Sequence, residues 1–219
     1  MKRKIPDENI SNSPLVEVLA EQAEIIADGL TDNEVLRELP VFGWGLKLAK
    51  AGMNIRDRIF IAKLKAFIDE FDNSSFHIKE KWKAEVSKNG ERSSRIGETL
   101  FLVVEQANDL SKPSLCAVLF IAYIDGCISE EMLFRLVQVV DKCFVSDLMY
   151  FLDADDFPDP IGQGAEWMSE EGYHLVSLEF VGLTVANSGM EVEITDLGES
   201  LRRAYRCGIS EANMDVRKP

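Results

Sequence analysis

The longest uncharged apolar run is Ser114 to Ile124, 11 residues, bounded by Ser111-Lys112-Pro113 and by Asp125-Gly126. A membrane-crossing helix needs about 20 apolar residues. The stretch therefore predicts a short, strongly apolar helix that opens at the serine–proline signal and stops at the glycine. No segment is expected to span a bilayer. The opening Met1-Lys2-Arg3-Lys4 is followed at once by Ile5-Pro6-Asp7-Glu8-Asn9, so the apolar core of a signal peptide is missing. With 46% hydrophobic and 28% charged residues, the 219-residue chain has the composition of a globular protein.

Helical periodicity and boundary residues organise what lies around that stretch. Residues 1–13 read as a flexible N-terminus and 14–152 as a helical domain of six or seven helices. Ser13-Pro14 opens the first, Leu15, Val18, Leu19, Ala23 and Ile26 form its apolar face, and Gly29 ends it. Thr31-Asp32-Asn33-Glu34 reads as a capping box ahead of Pro40. Gly43, Gly45 and Gly52 are expected to loosen the segment that follows, and a regular face of Ile55, Ile59, Leu64, Phe67, Ile68 and Phe71 comes next. Ser74 or Ser75 caps a helix stopped by Gly90; Glu91 to Asn108 forms another. Ser129-Glu130-Glu131 caps a helix to about Val145, and Asp147 to Leu152 continues it.

Residues 153–164, DADDFPDPIGQG, form an acidic linker. A calcium loop starting at Asp153 would need an oxygen ligand where Phe157 stands, glycine where Pro158 stands and glutamate where Gly164 stands. Gly162-Gln163-Gly164 lacks the third glycine and preceding strand of a dinucleotide loop.

Beyond the linker the pattern changes. Trp167 to Phe180 predicts a helix, Thr184 to Ala186 and Met190 to Ile194 predict strands around Asn187-Ser188-Gly189, and Thr195-Asp196-Leu197-Gly198 opens a last helix. The string from Leu178 to Leu201, LEFVGLTV and NSGMEVEITDLGESL, resembles the end of a winged-helix domain of the multiple-antibiotic-resistance regulator type. The resemblance extends from Trp167 to Cys207. It implies a mainly α chain whose multi-helix region precedes a small winged-helix-like α+β module at 165–208, with a C-terminal tail at 209–219. More loosely, the arrangement is similar to bacterial helical proteins associated with phage defence and abortive infection.

Charge argues against carrying over DNA binding from that family. The net charge is −14, and no Lys or Arg falls between Lys142 and Arg202, a stretch with 13 acidic residues. Phosphate recognition requires the opposite sign. The expected function is a non-enzymatic interaction or regulatory protein, acting in the cytoplasm through a protein partner. Its docking residues would be Glu166, Glu170, Glu171 and Glu179 on the helix and Glu191 and Glu193 on the wing.

A second reading starts from the basic segment 41–71. Six positive residues between Lys47 and Lys65 stand against the single acid Asp57. Phe42, Trp44, Leu46 and Leu48 could enter a bilayer interface while Lys47, Lys50, Arg56, Arg58, Lys63 and Lys65 meet anionic headgroups. That would make the chain a peripheral effector at the inner membrane, of the phage-defence type. The alternative is a solvated helix face, or docking of this segment on the acidic half, within one chain or in a homo-oligomer. A third reading, a transcription regulator, requires Arg202, Arg203 and Arg206 to be presented together.

No catalytic constellation, metal site or cofactor motif is expected. His77 and His174 stand alone. Cys116, Cys127, Cys143 and Cys207 are separated by 11, 16 and 64 residues without a CxxC pair, and reduced thiols are expected at all four.

Overall fold

The computed structural model describes residues 27–30, 33, 42–43, 45–47, 54–153, 181–186 and 189–212. Its first complete helix, α1 (Ile55–Asp72), is started by Asn54, whose side chain accepts from the backbone N–H of Arg56 at 2.8 Å and of Asp57 at 3.1 Å. Asp57 answers by accepting the Asn54 N–H at 2.8 Å. This is a capping box written with Asn and Asp. The face that α1 buries consists of Ile61, Leu64, Phe67, Ile68 and Phe71, whereas Ile59 points outward at 47% exposure.

Ser75 caps α2 (Phe76–Lys88), which buries Ile78 and Trp82. Gly90 does not stop a helix; it starts α3 (Gly90–Gln106), and Asn89 serves as the corner between the two. The apolar stretch of the sequence becomes α4 (Lys112–Asp125), ended by Gly126 at φ 90, a left-handed conformation that glycine adopts without a Cβ penalty. A helix apolar all round must be covered all round. Accordingly α4 packs against α1, α2, α3, α5 (Glu130–Lys142) and α7 (Asp196–Ala212). Phe120 sits at its centre, with ring centroids 4.8 Å from Trp82, 5.4 Å from Phe71 and 6.2 Å from Phe67. Such ring pairs add about 0.5–1.5 kcal/mol each beyond burial.

The helix expected to continue through Leu152 is two helices. Cys143 is extended, with ψ 155, and α6 (Val145–Asp153) begins after it. Ahead of α7, strands β1 (Val181–Ala186) and β2 (Gly189–Ile194) pair antiparallel, with Thr184 opposite Glu191 and Gly182 opposite Glu193. Thr195 accepts the Gly198 N–H at 3.2 Å and starts α7 as its sequence predicts.

The separate winged-helix-like α+β module is overturned by where α7 goes. Leu201 and Ala204 belong to the same core cluster as Phe120, Ile121 and Leu136. Gly208 is pressed so closely on α4 that a Cβ there would stand 2.2 Å from the Val118 carbonyl oxygen. Ile194, the last residue of β2, is partly buried against the same core. Two isolated strands have no core of their own to build. The described body is thus helical around a single core, and the last helix is one of its members. Nor does a tail begin at residue 209, because α7 continues to Ala212.

Gly45 also differs from expectation. It is buried, and a Cβ on it would lie 2.3 Å from the Phe101 ring, so its missing side chain admits a neighbour instead of loosening the segment.

Candidate functional site at the junction of α2, α4 and α7

Where α4 ends, three elements bring chemistry-bearing side chains together. Asp125 is the last residue of α4, Cys127 follows the Gly126 corner, and Cys207 comes from the fourth turn of α7. Cys127 and Cys207 form a disulfide across 80 residues of sequence, with Cα atoms 6.7 Å apart. The expectation of reduced thiols fails at these two positions, because the packing of α7 on α4 places together cysteines that nothing in their spacing connects. One oxygen of Asp125 lies 3.8 Å from each sulfur. Oxidised sulfur has no proton to donate, so these are contacts of a carboxylate with a disulfide. Asp125, Cys127 and Cys207, each half-buried, are the described residues whose metal-binding atoms converge, all within 4.8 Å of one another.

Lys81 of α2 holds the carboxylate in place from the other side, at 2.7 Å, and its ammonium also reaches the Asp125 carbonyl at 3.5 Å. The same device recurs through the fold. Lys79 donates to the carbonyl of Asp72 at the end of α1 at 2.5 Å, Lys63 to Glu105 near the end of α3 at 2.6 Å, and Lys112 to Asp141 near the end of α5. Among the described helices, four C-termini therefore carry a lysine on carbonyls left without intrahelical partners. Burial lowers the Lys63 pKa, against the opposing pull of Glu105 and Asp141.

Beside Lys81 a cleft of about 420 Å³ opens between α2, α3 and the turn before α5, lined by Trp82, Arg92, Tyr123, Ser129 and Glu130 among others. Arg92 donates to Glu130 at 2.6 Å and to Glu85 at 3.2 Å, and lies 5.9 Å from the centre of the Tyr123 ring. Arg95 adds a second bond to Glu130. Burial pushes the Glu130 carboxyl up, but the hydrogen bonds and charges of Arg92 and Arg95 outweigh it and hold the group below its ordinary value. The Trp82 indole N–H, fully buried, has no hydrogen-bond partner among the described residues.

Comparison with known proteins identifies no relative: no family model, no curated protein and no solved structure matches the chain.

The residues singled out for membrane contact do not share one surface. Lys63 is buried on the Glu105 carbonyl, and Phe42 and Leu46 are core residues at 0% and 2% exposure. Phe42 packs on Phe67 at 5.1 Å and on Phe101 at 5.8 Å. Lys47 and Arg56 are exposed, Arg58 is half-buried, and Lys65 pairs with Asp69 along α1. Trp44, Leu48 and Lys50 lie outside the described residues, and no described helix is long and apolar enough to cross a membrane.

Of the residues needed for DNA contact, Arg202 is buried at 7% exposure with its guanidinium 5.4 Å from the Phe151 ring centre, so it cannot join Arg203 and Arg206 on a surface. Of the acidic docking residues, Glu191 and Glu193 lie on β2, while Glu166, Glu170, Glu171 and Glu179 fall outside the described residues, as does His174. His77 is exposed on α2. The free thiol of Cys116 is fully enclosed, and burial pushes its pKa up to about 12, with Asp141 adding to the rise and Lys112 opposing it. The cluster at the end of α4 had one sequence signal: Asp125 and Cys127 flank the glycine that terminates the most apolar helix. Nothing local announced Cys207 as the third member.

Proposed function

We propose that this chain is a non-enzymatic docking protein, which presents an acidic segment to a basic surface of a partner protein. The observation that carries the reading is the way the segment is rooted. Strand β2 bears Glu191 and Glu193 and passes through Thr195 alone into α7. That helix is fixed by the Cys127–Cys207 disulfide, by the close approach of Gly208 to α4, and by hydrogen bonds from Ser75 to Glu211. A rigid stem limits the ordering entropy lost when the segment binds. The stretch between Lys142 and Arg202, with 13 acids and no Lys or Arg, supplies long-range attraction toward positive charge.

The test is charge reversal of Glu191 and Glu193 to lysine, with a second variant reversing Glu170, Glu171 and Glu179. Partners captured by the wild type at low salt should be lost from both variants while the far-ultraviolet dichroism stays the same. Survival of every captured partner in both variants would remove this segment as the docking surface.

A further inference from the structure

The cluster at the end of α4 has a donor set that its disulfide conceals. We propose that reduction of the Cys127–Cys207 bond turns Asp125, Cys127 and Cys207 into a binding site for a thiophilic divalent cation of the zinc class.

Two thiolates and one carboxylate with an open fourth position for water make a zinc donor set. Here the three ligand atoms already converge within 4.8 Å, and the carboxylate oxygen is equidistant from the two sulfurs at 3.8 Å. Metal ligation at about 2.3 Å for sulfur and 2.0–2.2 Å for oxygen needs the sulfurs only to part and the carboxylate to draw in. The backbone is suited to that, because a Cα separation of 6.7 Å leaves room between the two side chains for an ion. Leu201 and Ala204 in the core hold α7 ahead of Cys207, and Gly208 against Val118 with Glu211 bonded to Ser75 hold it after, without help from the disulfide. Half-burial of all three groups leaves the site open to solvent.

Lys81 is the one cation facing the cluster among the described contacts. It can release the Asp125 carboxylate and stay on the Asp125 carbonyl, which it already approaches at 3.5 Å.

Electrons and protons balance simply. The disulfide takes up two electrons and two protons from a reductant, a dithiol that becomes a disulfide or, in the test, a water-soluble phosphine that becomes its oxide with the oxygen of water. Both thiol protons leave when the cation binds.

The experiment is anaerobic titration of the full chain with cobalt(II), before and after phosphine reduction. Thiolate-to-cobalt charge-transfer absorption should be absent from the oxidised chain. In the reduced chain it should saturate at one equivalent, disappear when zinc is added, and vanish on reoxidation. Cys127→Ser and Cys207→Ser should each abolish it, Asp125→Asn should shift the titration to higher cobalt, and Cys143→Ser should leave it unchanged. If reduction melts the helices, recovery of ellipticity together with the absorption on adding cobalt supports the site. No absorption from the reduced chain, or absorption from the Cys127→Ser and Cys207→Ser variants equal to that of the reduced wild type, overturns it. The outcome is independent of partner docking, which is read on Glu191 and Glu193.

Discussion

Ser75 and Glu211 are joined twice across 136 residues of sequence: the Ser75 hydroxyl donates to the Glu211 carboxylate at 2.9 Å, and the Ser75 backbone N–H donates to the Glu211 carbonyl at 3.2 Å. The serine that caps α2 is therefore also the anchor for the end of α7. A glutamate at the start of α2 also places negative charge on the positive end of that helix.

Both roles can be separated by mutation. Ser75→Ala loses the cap on the Ile78 N–H and the link to Glu211, and should cost about 1–2 kcal/mol. For a chain of this size that lowers Tm by about 2–4 °C per kcal/mol. Glu211→Ala keeps the cap and should lose less. Equal thermal shifts in the two variants would mean that the cap contributes nothing of its own.

Two glycines should respond to alanine in opposite directions. At Gly208 the new methyl meets the Val118 carbonyl at 2.2 Å, backbone that cannot swing aside, and overpacking of that kind costs about 1–3 kcal/mol. At Gly90, the first residue of α3, nothing lies within 4 Å of the added Cβ, so better helix propensity should stabilise by up to about 1 kcal/mol. Urea midpoints check the pair. A Gly208→Ala variant as stable as the wild type would show that α7 does not sit against Val118.

Glu130 should make the fold acid-sensitive. Its folded pKa lies below the ordinary 4.5, so the folded state favours the ionised carboxylate. The stabilisation is fully present above 4.5 and is lost as pH falls through the folded value. Glu130→Gln should be the less stable protein at neutral pH, and its deficit should shrink on acidification until the curves converge. Exposure of Arg92 and Arg95 to solvent and salt keeps the effect modest. A deficit that stayed constant from neutral pH to below the folded pKa would show that the arginine network is not its source.

What the sequence determined by itself is local. Ser129 bonds the Met132 N–H and Thr195 the Gly198 N–H, each within one turn, and Gly126 ends α4 through its own dihedral freedom. The apolar face of α1 was legible at Leu64, Phe67, Ile68 and Phe71, since helical spacing fixes which side chains share a side. Periodicity does not say which way a residue at the edge of that face turns, so Lys63 went inward to the Glu105 carbonyl while Ile59 went out.

Only the tertiary structure decided the relations between distant segments. The hairpin and last helix read locally as the end of a winged helix, yet α7 joined the core of α4, because the most apolar helix needed cover on another side. That docking brought Cys207 to Cys127 and made a candidate site at the end of α4. Contacts across 80 or 136 residues leave no pattern in either neighbourhood, because they depend on which surfaces meet after the helices have formed.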